Sequence, residues 1–92
     1  MTPDHSLVLV LCQAINTIKR SALDPNQADL DQYLGGDLFI DSIEMLEIWF
    51  HAERSLGIRL PDEAKREIYT LREAVAVLAR YRDECSAKVQ HV

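Results

Sequence analysis

Residues 41 to 56 are predicted to form a single helix with two apolar faces, and this limits how the chain can fold. At about 100° per residue, the apolar side chains of this segment separate into two stripes. The inner stripe contains Met45, Ile48, Trp49, Ala52 and Leu56, and the outer stripe contains Ile43, Leu46 and Phe50. A chain of 92 residues has room for one modest core and rarely buries both faces of a helix. We therefore expect the outer stripe to face away from the core.

Acidic side chains border the outer stripe. Glu44 and Glu47 lie on one flank, Glu53 lies on the other, and Asp41 stands at the start of the helix. An apolar patch with an acidic rim is typical of a docking surface for a partner with basic groups. The alternative is a central helix that is buried nearly all round, with solvated carboxylates at its edges.

The start of this helix carries a serine. Asp41 followed by Glu44 has the form of a capping box, and Gly57 is well placed to end the helix. Ser42 is therefore predicted to be exposed in the first turn, where free amides and the helix dipole favour an attached phosphate. The alternative is that Asp41 and Ser42 cap the helix and do nothing more.

The rest of the chain predicts an all-α fold in one domain, residues 1–92. Helices are expected at about 4–20, 41–56, 62–68 and 70–85, three longer and one short, with a long loop between the first and second. Val8, Leu9 and Val10 make the first segment locally β-prone, but its longer period favours helix. Thr70 and Glu73 form a second predicted capping box. The tail, 86–92, is expected to fray.

Composition excludes several classes of function. Ten basic and fifteen acidic residues give a formal charge of −5, which argues against nucleic acid or an anionic membrane as partner. No apolar run is long enough to span a bilayer, and the first residues lack the basic segment of a signal peptide, so we expect a cytoplasmic protein. We also expect a monomer.

The sequence gives little support for a catalytic site or a metal site. The histidines, His5, His51 and His91, lie far apart without metal-ligand spacing, so we predict no metal site. Ser42 is not in a glycine-rich nucleophile elbow, and no histidine and acid pair is evident for it. We therefore predict that the chain is not an enzyme.

Several segments of the sequence resemble the acyl carrier protein family. The matching segments are Asp37-Leu38, Asp41-Ser42-Ile43 with the acidic helix that follows, Leu56-Gly57-Ile58-Arg59-Leu60-Pro61-Asp62-Glu63, and Thr70-Leu71-Arg72-Glu73-Ala74-Val75. The resemblance covers about residues 5 to 80 without an obvious gap. The Asp-Ser-Ile triplet alone is a weak signal, but its combination with the Leu-Pro-Asp segment at the family spacing is specific.

The resemblance implies a small four-helix bundle that carries acyl groups as thioesters. By carry-over, Ser42 is the attachment site for 4′-phosphopantetheine, which a separate phosphopantetheinyl transferase transfers from coenzyme A with Mg²⁺, and Asp41 precedes it at the cofactor site. Partners with basic patches, such as acyl-transferring or condensing enzymes of fatty-acid, polyketide or specialised lipid biosynthesis, would dock on the acidic helix. The implied docking residues are Ile43, Glu44, Leu46, Glu47, Phe50 and Glu53.

Two other functions stay open at this point. An aminoacyl or peptidyl carrier would share the serine and the bundle but would be loaded by an adenylating enzyme. An unmodified helical interaction module would keep the bundle without the chemistry.

The sequence departs from the family beside the serine. Many members have a glycine two residues before the aspartate, where this chain has Phe39, followed by Ile40. Arg54 and Ser55 replace positions that are often acidic in fatty-acid carriers, and His51 adds a bulky polar group. Phe39 and Ile40 predict a different loop shape or a different cognate transferase, and the departures together favour a specialised pathway over housekeeping fatty-acid synthesis.

Overall fold

The computed structural model describes the backbone of residues 4–90 and the side chains of residues 4–84. This part of the chain contains three α-helices, α1 (His5–Lys19), α2 (Ser42–Leu56) and α3 (Leu71–Gln90), and a short 3₁₀ helix (Asp62–Lys65). Helix α1 packs against both α2 and α3. The predicted all-α class is confirmed, and the β-prone start of the first segment is helical.

The short helix predicted over 62–68 is a 3₁₀ helix of four residues. The described chain therefore has three α-helices rather than the four that were predicted. The Ala64 amide donates to the Pro61 carbonyl at 3.0 Å, an i to i−3 bond. Arg66 then has an extended backbone with a ψ of 150°, and Glu67 has a φ of +58°, so the helix ends after Lys65.

Side-chain caps set the helix starts. The Asp4 carboxylate accepts from the Ser6 amide at 2.9 Å and begins α1. The Thr70 hydroxyl accepts from the Glu73 amide at 3.2 Å, and Glu73 accepts from the Thr70 amide at 3.0 Å, which confirms the second capping box. Helix α3 continues to Gln90, beyond the predicted end near 85. The expected fraying of 86–90 stays a prediction. No glycine or proline interrupts that stretch. Residues 91 and 92 of the predicted tail lie outside the described residues.

The core lies where the three helices meet. Its largest fully buried side chains are Trp49, Leu7, Leu11, Ile15, Ile48, Leu71 and Leu78. Fully burying an aliphatic or aromatic side chain of this size contributes about 1.5–3 kcal/mol, so this cluster is the main source of stability.

The loop between α1 and α2 is fastened to the start of α3. The Leu34 amide donates to the Tyr69 carbonyl at 2.8 Å, and Tyr33 and Thr70 form an isolated antiparallel bridge. Leu34 and Ile40 are buried in the core. These contacts hold the segment that leads into α2.

Candidate functional site

Ser42 is the first residue of α2 and is exposed. Asp41 Oδ1 accepts from the Glu44 amide at 2.8 Å, and Glu44 Oε1 accepts from the Asp41 amide at 3.1 Å. The capping box predicted from the sequence is therefore present with both of its hydrogen bonds. Within the described side chains, the Ser42 hydroxyl has no hydrogen-bond partner, and it stands at the positive end of the helix dipole.

A compact turn presents Ser42. The Asp37 amide donates to the Tyr33 carbonyl at 3.0 Å, and the Ile40 amide donates to the Leu34 carbonyl at 3.0 Å. Asp37 Oδ2 in turn accepts from the Tyr33 amide at 2.6 Å. Because the turn is closed by its own hydrogen bonds, the serine is held at a defined place on the surface.

Phe39 has a left-handed backbone with a φ of +57° and is 75% exposed. Glycine adopts this conformation without cost, whereas a residue with a β-carbon is destabilised there by about 1–2 kcal/mol. The sequence comparison with the family predicted a change in loop shape at this position. In this chain the backbone of Phe39 takes a conformation that glycine favours, and the aromatic ring projects from it. The change in loop shape relative to the family stays a prediction.

Lys19, in the last turn of α1, holds this turn in place. Its Nζ donates to the Phe39 carbonyl at 2.9 Å and to both carboxylate oxygens of Glu44 at 3.0 Å. Both side chains of the ion pair are about three-quarters buried, which strengthens it relative to a surface pair. Sequence reasoning missed this role, since Lys19 gave no signal beyond a basic residue near a helix end.

The outer stripe of α2 is exposed and the inner stripe is largely buried. Ile43, Leu46 and Phe50 expose 70%, 61% and 60% of their surfaces, whereas Ile48 and Trp49 are buried. The alternative, a helix that is buried nearly all round, is therefore wrong. The outer stripe also forms part of a shallow groove of about 670 Å³ against Ile18, near the end of α1.

The acidic rim is partly neutralised within the chain. Glu44 pairs with Lys19 at 3.0 Å, and Glu53 pairs with Lys65 at 2.8 Å. Glu47 is exposed and makes no ion pair among the described side chains. The negative charge that is open to a partner therefore comes chiefly from Glu47 and from Asp41 at the start of the helix.

A second groove, of about 530 Å³, opens beside Ser42, and Leu46 of the outer stripe lines both grooves. Met45, Leu46 and Trp49 line it from the helix, and Tyr33 and Tyr69 line it from the segments joined by the bridge. Both tyrosines are more than half exposed. The sequence did not predict that these tyrosines lie beside the serine, because they are far apart in the chain.

In residues 4–84, no group of three or more histidine, cysteine, aspartate or glutamate side chains is arranged to hold a metal ion. None of the helices in the described structure has the length and hydrophobicity required to cross a bilayer.

Comparison with curated proteins shows to which family the chain belongs. The chain is 33% identical to the acyl carrier protein of Renibacterium salmoninarum over 79 residues, covering 86% of this chain and 95% of the relative. It is 32% identical over 79 residues to that of an Arthrobacter species, with the same coverage, and 29% identical over 75 residues to that of Myxococcus xanthus. No protein-family model matches the chain. The protein belongs to the acyl carrier protein family, and neither the aminoacyl carrier nor the unmodified module is favoured by these relatives.

Proposed function

We propose that the chain carries acyl groups on a 4′-phosphopantetheine arm attached to Ser42. The observation that carries the proposal is the exposed Ser42 hydroxyl at the capped start of α2, at the position of the family's Asp-Ser motif. Helix N-termini stabilise phosphate through free amides and the helix dipole. The distal thiol of the arm supplies the thioester linkage.

The surroundings of Ser42 fit such an arm. The groove of about 530 Å³ begins at the serine and has Met45, Leu46 and Trp49 on its helical side. An acyl chain that lies along these side chains would remove apolar surface from water. Asp41 contributes to the site by fixing the helix start, since its carboxylate accepts from the Glu44 amide.

The modification is a phosphoryl transfer in which Ser42 is the acceptor. The Ser42 oxygen forms a bond to the coenzyme A phosphate that bears the pantetheine, the pyrophosphate bond breaks, and adenosine 3′,5′-bisphosphate leaves. The hydroxyl proton passes to a base of the transferase, with Mg²⁺ on the phosphates. The activation of the hydroxyl is assigned to the transferase, and in this proposal the chain is the carrier that receives the arm.

The outer stripe and its rim are proposed as the docking surface for the transferase and for acyl-transferring or condensing enzymes. Ile43, Leu46 and Phe50 offer exposed apolar area, and Glu47 offers unpaired charge beside them. Glu44 and Glu53 border the same surface, but they are already paired with lysines of this chain. A partner with an apolar patch and a basic group opposite Glu47 complements this arrangement.

Intact-protein mass spectrometry tests the attachment site. The chain is incubated with coenzyme A, Mg²⁺ and a broad-specificity phosphopantetheinyl transferase, and a gain of one phosphopantetheine is expected on the wild type. Ser42→Ala is the matched control and should gain nothing. An equal gain on both proteins would move the site elsewhere, and no gain with any of several transferases would refute the proposal.

Trp49 provides a test of the acyl site, because it is the single tryptophan and lines the groove beside Ser42. Loading the modified protein with a medium-length acyl group should change the tryptophan emission, and loading with acetate should change it less. Identical emission in the two states would place the acyl chain outside this groove. Parallel loading trials with fatty acids and amino acids identify the class of cargo.

A further inference from the structure

Phe39 combines two unfavourable features within three residues of Ser42. Its backbone is left-handed, with a φ of +57°, and its ring is 75% exposed to water. Most residues with a β-carbon avoid this backbone conformation, which glycine adopts freely and asparagine tolerates. A feature of this kind persists when surrounding contacts hold it, and such residues concentrate at functional sites.

Packing within the chain does not explain the aromatic ring. The neighbours Leu38 and Ile40 point toward the core, with Leu38 partly buried and Ile40 buried. Lys19 Nζ fixes the backbone through the Phe39 carbonyl at 2.9 Å, a contact that any residue at this position provides. The backbone of Phe39 therefore contributes to the fold, whereas its exposed ring contributes little packing.

The position of Phe39 determines what meets its ring. Three residues of chain span at most about 10 Å, so an enzyme that brings a reactive phosphate to the Ser42 oxygen also covers the surface at Phe39. Exposed Ile43 lies one residue beyond Ser42, on the same approach. Large aromatic side chains that are desolvated on docking contribute much of the binding energy at protein interfaces.

We infer that Phe39 is a specificity-determining residue for the transferase that modifies Ser42, with its ring entering an apolar site on that enzyme. The inference rests on the proposed modification of Ser42. The ring favours modification by transferases that have an apolar surface beside their coenzyme A site. It disfavours modification by transferases that fit a glycine at this position. Ile40, which is buried, has no part in this selection.

Steady-state kinetics with a set of Phe39 variants tests the inference. The enzyme is the transferase, among several assayed, that modifies the wild-type chain fastest. Phe39→Gly and Phe39→Asn remove the ring but accept a left-handed backbone, and both should raise the KM for the carrier about tenfold with little change in kcat. Phe39→Tyr retains the ring and should restore a KM close to that of the wild type.

Two controls separate recognition from folding. Leu9→Ala deletes another exposed apolar side chain, about 15 Å along α1 from Lys19, and should leave the KM unchanged. The Tm of Phe39→Gly and Phe39→Asn should not fall, since both residues tolerate this conformation. Equal KM values for the wild type and the two ringless variants would overturn the inference while leaving Ser42 modification intact. A wild-type chain that no transferase modifies would overturn both.

Discussion

At the scale of single residues, Lys19 connects α1 to the turn that presents Ser42. One ammonium group is shared between the Phe39 carbonyl and the carboxylate of Glu44. Glu44 in turn accepts from the Asp41 amide, so the cap of α2 and the end of α1 form one network. The start of α2, which carries Ser42, is therefore positioned by Lys19, a residue 25 positions before Glu44 in the chain.

Lys19→Met should lower the free energy of unfolding by about 1–3 kcal/mol, because it leaves the partly buried Glu44 carboxylate without its cation. Urea denaturation followed by circular dichroism measures the change. Arg20→Gln removes a neighbouring charge on an exposed side chain and should cost far less. A double mutant with Glu44→Gln should be less destabilised than the sum of the single variants, and strict additivity would contradict the network.

At the scale of the helix, the two faces of α2 have different environments. Its inner stripe supplies Ile48 and Trp49 to the core, and its outer stripe remains at the surface. The ion pairs of Glu44 and Glu53 hold α2 to the rest of the chain and leave Glu47 and the cap residue Asp41 as the exposed acids. Docking on this helix should therefore depend on Glu47 and Asp41 more than on the paired carboxylates Glu44 and Glu53.

Glu47→Lys should slow modification of Ser42 or acyl loading about three- to tenfold at low ionic strength, because it reverses the charge that faces a basic partner. The difference should shrink as salt is added, since screening weakens interactions between exposed charges. Glu84→Lys makes the same charge change on α3, about 20 Å along the helix from Leu71. Equal rates for Glu47→Lys and the wild type at low salt would remove Glu47 from the docking surface.

The end of α2 depends on one backbone conformation. Gly57 has a φ of +67°, and a β-carbon placed on it would meet no atom within 4 Å. Gly57→Ala should therefore destabilise the protein by about 1 kcal/mol through backbone strain alone. Thermal unfolding measures this loss. The control is Gly36→Ala, whose β-carbon would lie 3.6 Å from Tyr33 Cβ, an ordinary contact, so its Tm should stay near that of the wild type.

At the scale of the whole molecule, two surface ion pairs join α3 to distant parts of the chain. Arg82 donates to Asp4 at 2.6 Å, and Arg72 donates to Asp31 at 2.9 Å. The Arg72 guanidinium holds the pKa of Asp31 below its ordinary value. Hydrogen bonds from the Ser6 side chain and from Arg82 lower the pKa of Asp4 from 3.8 to about 2. Both carboxylates therefore favour the folded state in their ionised form.

The depressed pKa of Asp4 gives stability a defined pH dependence. A carboxyl group with a lowered pKa stabilises the fold above about pH 4, and that contribution is lost as the pH falls toward 2. Asp4→Asn keeps a capping side chain but removes the charge. The Tm difference between the wild type and Asp4→Asn should be largest near neutral pH and should close between pH 4 and 2. A difference that does not vary with pH would show that the ionised form of Asp4 adds no stability to the fold.

The sequence by itself determined the local features of this protein. Both capping boxes, the glycine at the end of α2 and the two faces of that helix arise between residues a few positions apart, so their spacing is sufficient to predict them. The predicted helix over 62–68 and the predicted end of α3 were wrong where local signals were weak. A segment of one turn has little cooperativity to sustain an α-helix, and the tail has no residue that stops one.

The tertiary structure alone decided how the surroundings of Ser42 are built. Lys19 meets Glu44, Tyr33 lies opposite Thr70, and the groove beside the serine closes only when these distant segments pack together. Sequence spacing carries no information about such pairs, because contacts across the fold depend on how the helices pack. The same holds for Phe39: its identity was visible in the sequence, but its left-handed backbone and exposed ring result from the turn that the packed loop imposes.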